Sequence, residues 1–247
     1  MKPRYIFLLV IIGLGAAAFT APVLSPSPLD ILQNWGLISV ILVALTIGAF
    51  FFEFEGSNIG SKEIAIVGIL STVSAVLRIP FAAVPSVQPC TYLIICSGYV
   101  FGPLAGFMVG AMTALVSNLF LGQGPWTIYQ MFAWGMSGVS AGYLRRFNPD
   151  RKRLMAFGIL WGYLFGIIVN LWFWTSFIYP LTPRTFIVSQ LGSLWFDTAH
   201  AVANAIFLGL LGKKTIDILD RFHKKFQWQA FGPGLAKAVV VPEAVLR

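Results

Sequence analysis

The sequence predicts an all-α integral membrane protein, and three observations support this fold class. Of the 247 residues, 57% are hydrophobic and only 11% are charged, whereas about 25% of the residues in a soluble domain are charged. The mean hydropathy is +0.81. The apolar residues form runs close to the roughly 20 residues that a helix needs to cross a bilayer. A soluble fold of this length could not hide so much apolar surface from water.

The apolar runs divide the chain into eight predicted spans, two before residue 62 and six after it. The segment 91–121 is too long for one span, and we expect a break at 101–106 because Pro103 cannot continue a helix. The predicted spans are 5–24, 36–52, 64–81, the two parts of 91–121, 126–144, 154–178 and 186–212. We therefore predict two N-terminal transmembrane helices (1–61), a six-helix core (62–212) and a basic cytoplasmic tail (213–247).

The first segment has a second interpretation. Lys2 and Arg4 precede its apolar run, and small residues follow at 15–18, a pattern that also fits a cleaved signal peptide. Only a short Ser- and Pro-rich loop separates this segment from the next apolar run, so a retained helix is the preferred prediction. The second span runs from outside to inside in either case.

The distribution of basic residues predicts the orientation in the membrane. Lys and Arg concentrate on the cytoplasmic side of membrane proteins. With the N-terminus inside and eight spans, all 17 Lys and Arg residues except Arg78 and Arg184 fall on that side. We therefore predict a multi-pass membrane protein with both termini in the cytoplasm, unless the first segment is cleaved.

Several other classes of function are disfavoured. The net charge of +8 does not indicate a nucleic-acid partner, because the basic residues occur in short runs between apolar segments. No segment matches the Gly-x-x-x-x-Gly-Lys-Ser/Thr phosphate loop, so the chain has no ATPase motif of that kind. Cys90 and Cys96 are predicted to be small core residues. We expect neither a metal nor a cofactor.

The predicted extracellular loops hold few charges but many amides, aromatic residues, prolines and glycines. Polar groups within a membrane protein face the protein interior or a water-filled cavity. Asn118 and Gln130 flank one tight loop and are expected to converge there. Trp126 and Trp172 offer flat faces for an uncharged ligand, although tryptophan is also common at membrane interfaces without a further role.

The last predicted span carries Asp197, His200 and Asn204, spaced by three and four residues, which places them on one helix face. That face is expected to point into the bundle. This face could contact a ligand, relay protons or form a hydrogen-bond network between helices, and the sequence leaves these three roles open. A metal site is disfavoured because the other histidine, His223, lies in the tail.

Two stripes of small residues are present, and such stripes allow helices to approach closely. One stripe serves packing within a bundle, whereas two in neighbouring helices leave room for a partner protein. The stripes are Gly68 with Thr72 and Ser71 with Ala75 in the first core span, and Gly102, Gly106 and Gly110 in the next helices.

Several segments of the core carry a family resemblance. They are 62–68 with Arg78-Ile-Pro, Pro-Ser-Val-Gln-Pro at 85–89, Phe-Gly-Pro-Leu-Ala-Gly at 101–106, and 117–131 with its Gly-Gln-Gly-Pro-Trp-Thr loop at 122–127. Together they resemble the S components of energy-coupling factor (ECF) transporters, most of all the cobalamin-type members. The similarity covers roughly 62–212 and leaves the two N-terminal helices outside.

The resemblance implies a substrate-capture subunit that binds a vitamin-like ligand, with a corrinoid as the first choice. It also implies docking to a transmembrane coupling subunit and two cytoplasmic ATPases. The family's coupling contact, an Ala-x-x-x-Ala motif, corresponds to Gly68 and Thr72, with Ser71 and Ala75 beside them. The expected ligand contacts are Arg78, Pro85, Gln88, Asn118, Gln123, Trp126, Gln130, Trp172, Asp197, His200 and Asn204.

Two other functions fit parts of the sequence. A membrane-embedded enzyme could use His200 with Asp197, although no serine or cysteine motif accompanies them. A channel or secondary carrier could work without partners, but such a protein usually has more charged residues within its spans than Asp197 and the end-lying Arg78. The residues therefore favour a membrane binder with no evident energy source of its own, and the resemblance implies that partner ATPases supply the energy.

Overall fold

The computed structural model describes residues 35–56 and 61–230, and every regular element within these ranges is helical. The predicted first span, 5–24, lies outside the described residues. Two short 3-10 turns, at Pro80–Ala83 and Arg145–Phe147, occur between the α-helices. The helices are α1 (Trp35–Glu55), α2 (Ser61–Arg78), α3 (Cys90–Phe101), α4 (Pro103–Leu121), α5 (Trp126–Leu144), α6 (Arg151–Phe177), α7 (Pro183–Phe207) and α8 (Lys213–Ala230).

Several of these helices are long and apolar enough to cross a membrane. Among the described residues, four segments meet this criterion: Lys62–Ala83, Pro103–Leu121, Arg151–Phe177 and Pro183–Lys225. The chain is therefore an all-helical, multi-pass membrane protein. The count of six core spans and two additional ones stays a prediction.

The expected break between the fourth and fifth predicted spans occurs at Gly102. Its φ angle is +92°, a conformation that glycine adopts without steric cost. Pro103 then occupies the first position of α4, where its missing N–H group is not needed. With 12 residues, α3 is about 18 Å long and reaches across only part of a typical hydrocarbon core.

Glycines bring α3, α4 and α5 into direct backbone contact. A Cβ atom added at Gly98 or Gly106 would overlap the backbone of Gly138, and one added at Gly110 would overlap that of Trp134. The second stripe of small residues therefore packs inside the bundle at Gly106 and Gly110. Trp134 also has the largest fully buried side chain of the described core.

The remaining helices surround this centre. α1 packs across α4, α5 and α6, while α6 and α7 form an antiparallel pair. The helix of the last predicted span continues past Gly212, because a π-helical turn (Leu208–Gly212) connects α7 directly to α8. The first 18 residues of the predicted tail are thus helical.

Helix α8 is attached to the bundle by polar and aromatic contacts. Asp220 accepts a hydrogen bond from Arg145 Nη2 at 3.1 Å and pairs with Lys224 at 2.7 Å. The ring of Phe101 at the end of α3 lies 5.3 Å from that of His223.

Candidate functional site

Polar side chains from three parts of the bundle meet around Arg78, the last residue of α2. Arg78 is only 7% exposed, and its guanidinium lies over the Trp134 ring, 4.9 Å from the centroid. Nε donates a hydrogen bond to Gln88 Oε1 at 3.0 Å. Nη1 donates to Ser117 Oγ at 2.7 Å and to Asn118 Oδ1 at 2.5 Å. We call this part of the bundle, around Arg78, Gln88 and Asn118, the amide end.

Asn118 connects Arg78 to the loop between α4 and α5. Its Nδ2 donates to Thr127 Oγ1 and to Gln130 Oε1, both at 2.8 Å. The Thr127 hydroxyl donates in turn to Gln123 Oε1 at 2.9 Å. The loop turns sharply at Gly122, whose φ angle is +108°. Asn118 and Gln130 therefore converge, as their positions on either side of a tight loop predicted.

Two tryptophans lie beside this loop. The rings of Trp126 and Trp172 meet edge to face with centroids 5.3 Å apart, and Trp172 makes a similar contact with Phe177 at 5.5 Å. Both tryptophans are half-buried. A Cβ atom at position 124 would overlap the Trp126 ring, so Gly124 provides the space in which this ring lies.

His200 belongs to a second polar contact, deeper in the bundle. Its side chain is 3% exposed, and Nε2 lies 2.8 Å from Thr91 Oγ1. Thr91 also accepts a hydrogen bond from Trp134 Nε1 at 2.9 Å. Phe165 packs against both rings, 4.9 Å from that of His200 and 4.6 Å from that of Trp134. Trp134 thus lies between the Arg78 cluster and His200.

The two other polar residues of the last span contact α6 rather than His200. Asp197 accepts a hydrogen bond from Ser193 at 2.7 Å, and its carboxylate lies against Gly166, where a Cβ atom would overlap it. Asn204 Nδ2 donates to the Gly158 carbonyl at 3.1 Å. Among the described residues, no hydrogen bond joins Asp197 to His200. The three residues share a helix face but have separate partners.

A cavity of about 540 Å³ lies between the C-terminal part of α6 and the N-terminal part of α7. Phe196 and Ser193 line it and precede His200 by about one and two helical turns, so it lies on the flank of α7 that carries His200. Ser189 Oγ is buried at this cavity without a described hydrogen-bond partner. The other lining residues are Asn170, Phe173, Ile178, Arg184, Thr185, Val188 and Gly192.

Sequence reasoning missed several residues of these clusters. Thr91 and Trp134 lie inside apolar runs, and Ser117 and Thr127 are small hydroxyl residues of a kind that occurs throughout membrane helices. None of them carries a periodic signal that distinguishes it from core packing. Pro85, which was predicted, is exposed in the loop between α2 and α3.

The predicted coupling residues divide between two sides of α2. Gly68 and Thr72 are exposed, and nothing lies within 4 Å of a Cβ atom added at Gly68. Ser71 and Ala75 are 3% and 1% exposed and pack inside the bundle. Only the first pair is available on the described surface.

The fold and the polar clusters together define a multi-pass membrane protein with a network of hydrogen-bonded polar side chains, the amide end, at one end of its bundle. Residues 62–212 match the family described as "ECF transporter, substrate-specific component", and since this is more than half of the chain, the protein belongs to that family. Its members are transport subunits rather than enzymes.

One curated relative is a UPF0397 protein of Lacticaseibacillus casei (strain BL23). It is 27% identical over 165 residues, which make up 61% of this chain and 84% of the relative. No solved structure matches this chain.

Proposed function

We propose that this chain is the substrate-capture subunit of an ECF-type importer in a prokaryotic plasma membrane. The observation that carries the proposal is the network of Arg78, Gln88, Asn118 and Gln130 at the amide end. In this proposal the amide end faces outwards, both termini are cytoplasmic, and the substrate enters from outside. A transmembrane coupling subunit and two cytoplasmic ATPases supply the energy.

The predicted ligand contacts fall into two groups by exposure. The partly exposed side chains of Gln88, Trp126, Gln130, Trp172 and Asp197, with the exposed Gln123 and Pro85, are proposed to touch the ligand directly. The buried residues Asn118, His200 and Asn204 are proposed to position them. Arg78 belongs to both groups, because most of its side chain is buried while one nitrogen has no hydrogen-bond partner among the described residues.

The proposed ligand is a vitamin or a related micronutrient, and a corrinoid is the first compound to test. Corrinoids carry several peripheral amides around a broad ring. Side-chain amides such as those of Gln88 and Gln130 can pair with amides through both donor and acceptor, and the Trp126 and Trp172 rings provide flat apolar faces.

The proposed coupling contact is the exposed side of α2 at Gly68 and Thr72. Small residues at an exposed position let another helix approach closely. Three large apolar residues near them, Ile69, Val73 and Val76, are 63%, 45% and 56% exposed. The surface combines a shallow depression with apolar flanks, which suits a helix of a partner subunit.

The proposal is tested by purifying the full chain from a native-like host and identifying the ligand that co-purifies with it. Mass spectrometry identifies the compound, and the visible absorbance of a corrinoid would be recognised directly. We expect a stoichiometric small molecule of the vitamin class. A well-folded protein that carries no ligand and binds none of the vitamins tested would contradict the proposal.

A further inference from the structure

Arg78 is a buried cation without a counter-charge among the described residues. All three of its hydrogen-bond acceptors are neutral: the amides of Gln88 and Asn118 and the hydroxyl of Ser117. Burying a charge is costly unless an opposite charge or a full set of hydrogen bonds compensates it. Arg78 has only part of such a set.

The guanidinium is held in one position with two of its donors unused. Arginine has five N–H donors, and those of Nε and Nη1 are directed to Gln88, Ser117 and Asn118. The face of Trp134 fixes the plane of the group. Nη2 has no hydrogen-bond partner among the described residues, and Arg78 as a whole keeps 7% of its surface exposed.

We propose that the captured substrate carries an anionic oxygen group, a carboxylate or a phosphate ester, that binds Nη2 of Arg78 as its counter-ion. This inference rests on the proposed capture function. Hydrogen bonds between a guanidinium and an anion are roughly twice as strong as neutral ones. The neighbouring donor Asn118 Nδ2 is already used by Thr127 and Gln130, so Arg78 is the positively charged group of this cluster that has N–H donors left for an anion.

The test compares compounds that differ chiefly in one anionic group, using the full chain in nanodiscs. The pairs are pantothenate with panthenol, biotin with biotinamide, and pyridoxal phosphate with pyridoxal; riboflavin and cobalamin complete the panel. Calorimetry measures binding to the wild type and to Arg78→Gln, Arg78→Lys and Arg184→Gln. Arg184 is the competing candidate for the anion, because it is the other arginine on the predicted extracellular side, is exposed and lines the cavity between α6 and α7.

We expect at least one anionic compound to bind about 10-fold or more tightly than its neutral counterpart. Arg78→Gln should remove that preference, Arg78→Lys should keep part of it, and Arg184→Gln should leave it unchanged. A preference that survives Arg78→Gln and disappears in Arg184→Gln would overturn the inference. If Arg78→Gln does not fold, two other results decide whether the substrate is anionic. They are the affinities of the wild type for the anionic and neutral compounds, and the charge of the co-purifying ligand.

The failure of this inference differs from the failure of the capture function. Binding of a neutral compound alone, or equal binding of both members of a pair, overturns the anionic substrate and leaves capture intact. If no compound in the panel binds and the purified protein carries no ligand, both the anionic substrate and the capture function are overturned.

Discussion

The Thr91 hydroxyl lies 2.8 Å from Nε2 of His200 and 2.9 Å from Nε1 of Trp134. An indole nitrogen only donates, so the Thr91 oxygen accepts from Trp134 and its hydrogen is available to Nε2 of a neutral His200. One hydroxyl thereby connects α3, α5 and α7. Since α7 otherwise packs chiefly against α6, this contact fixes α7 against the centre of the bundle.

Replacing Thr91 by Val should destabilise the protein by about 1–3 kcal/mol, because two buried polar groups lose their partner while the volume hardly changes. The thermal unfolding midpoint in detergent measures the effect. Thr72→Val is the control, since Thr72 is exposed and its hydroxyl bonds only to the Gly68 carbonyl of its own helix. Equal midpoints for the two variants would contradict the role of Thr91.

Gly138→Ala should prevent normal packing of α5, because the added methyl group would overlap the backbone of Gly106. Overpacking of this kind costs about 1–3 kcal/mol and sometimes more, so the yield of folded protein and its unfolding midpoint should both fall. Gly192→Ala is the matched control, since nothing lies within 4 Å of its added Cβ atom. That variant should be at least as stable as the wild type.

Trp126→Ala and Trp172→Ala should each weaken ligand binding by about 10-fold, because each removes one face of an aromatic pair beside the amide end. Titration with the co-purified ligand measures the affinity. Trp195→Ala is the control, since the Trp195 side chain is 77% exposed on α7. If all three variants bind equally well, the two tryptophans are interfacial residues without a role in capture.

Thr72→Trp should abolish ATP-dependent uptake while leaving ligand affinity unchanged, because a large side chain would fill the proposed coupling contact. Leu160→Trp, at a position that is 53% exposed on α6, should retain uptake. Ser71→Trp should instead impair folding, since Ser71 is buried. Co-purification with the coupling subunit and an uptake assay in cells distinguish these outcomes. Normal uptake by Thr72→Trp would contradict a coupling contact at this side of α2.

Local chemistry predicted several helix boundaries well. The span 126–144 coincides with α5, and the break after Phe101 occurs at a glycine and a proline whose backbone requirements are strict. The continuation of the last helix was not predicted, because it passes through a π-helical turn at Leu208–Gly212 into a charged segment. Charge marks where an apolar span ends, but a helix can continue into a polar environment.

The partners of the polar residues were harder to predict. Spacing placed Asp197, His200 and Asn204 on one face, yet one face of a helix can touch two neighbouring helices. His200 consequently reaches Thr91 of α3, while Asn204 reaches the Gly158 carbonyl of α6. The same limit applies to α2, where spacing groups Ser71 with Thr72 but only Thr72 is exposed.

Reconstitution into liposomes tests the central claim most directly. The full chain is incorporated alone, or together with a coupling subunit and two ATPases, and accumulation of the labelled co-purified ligand is measured with and without ATP. We expect binding but no accumulation with the chain alone, and ATP-dependent accumulation with the complete assembly. Accumulation by the chain alone, without any ATPase, would contradict the account and identify a self-sufficient channel or carrier.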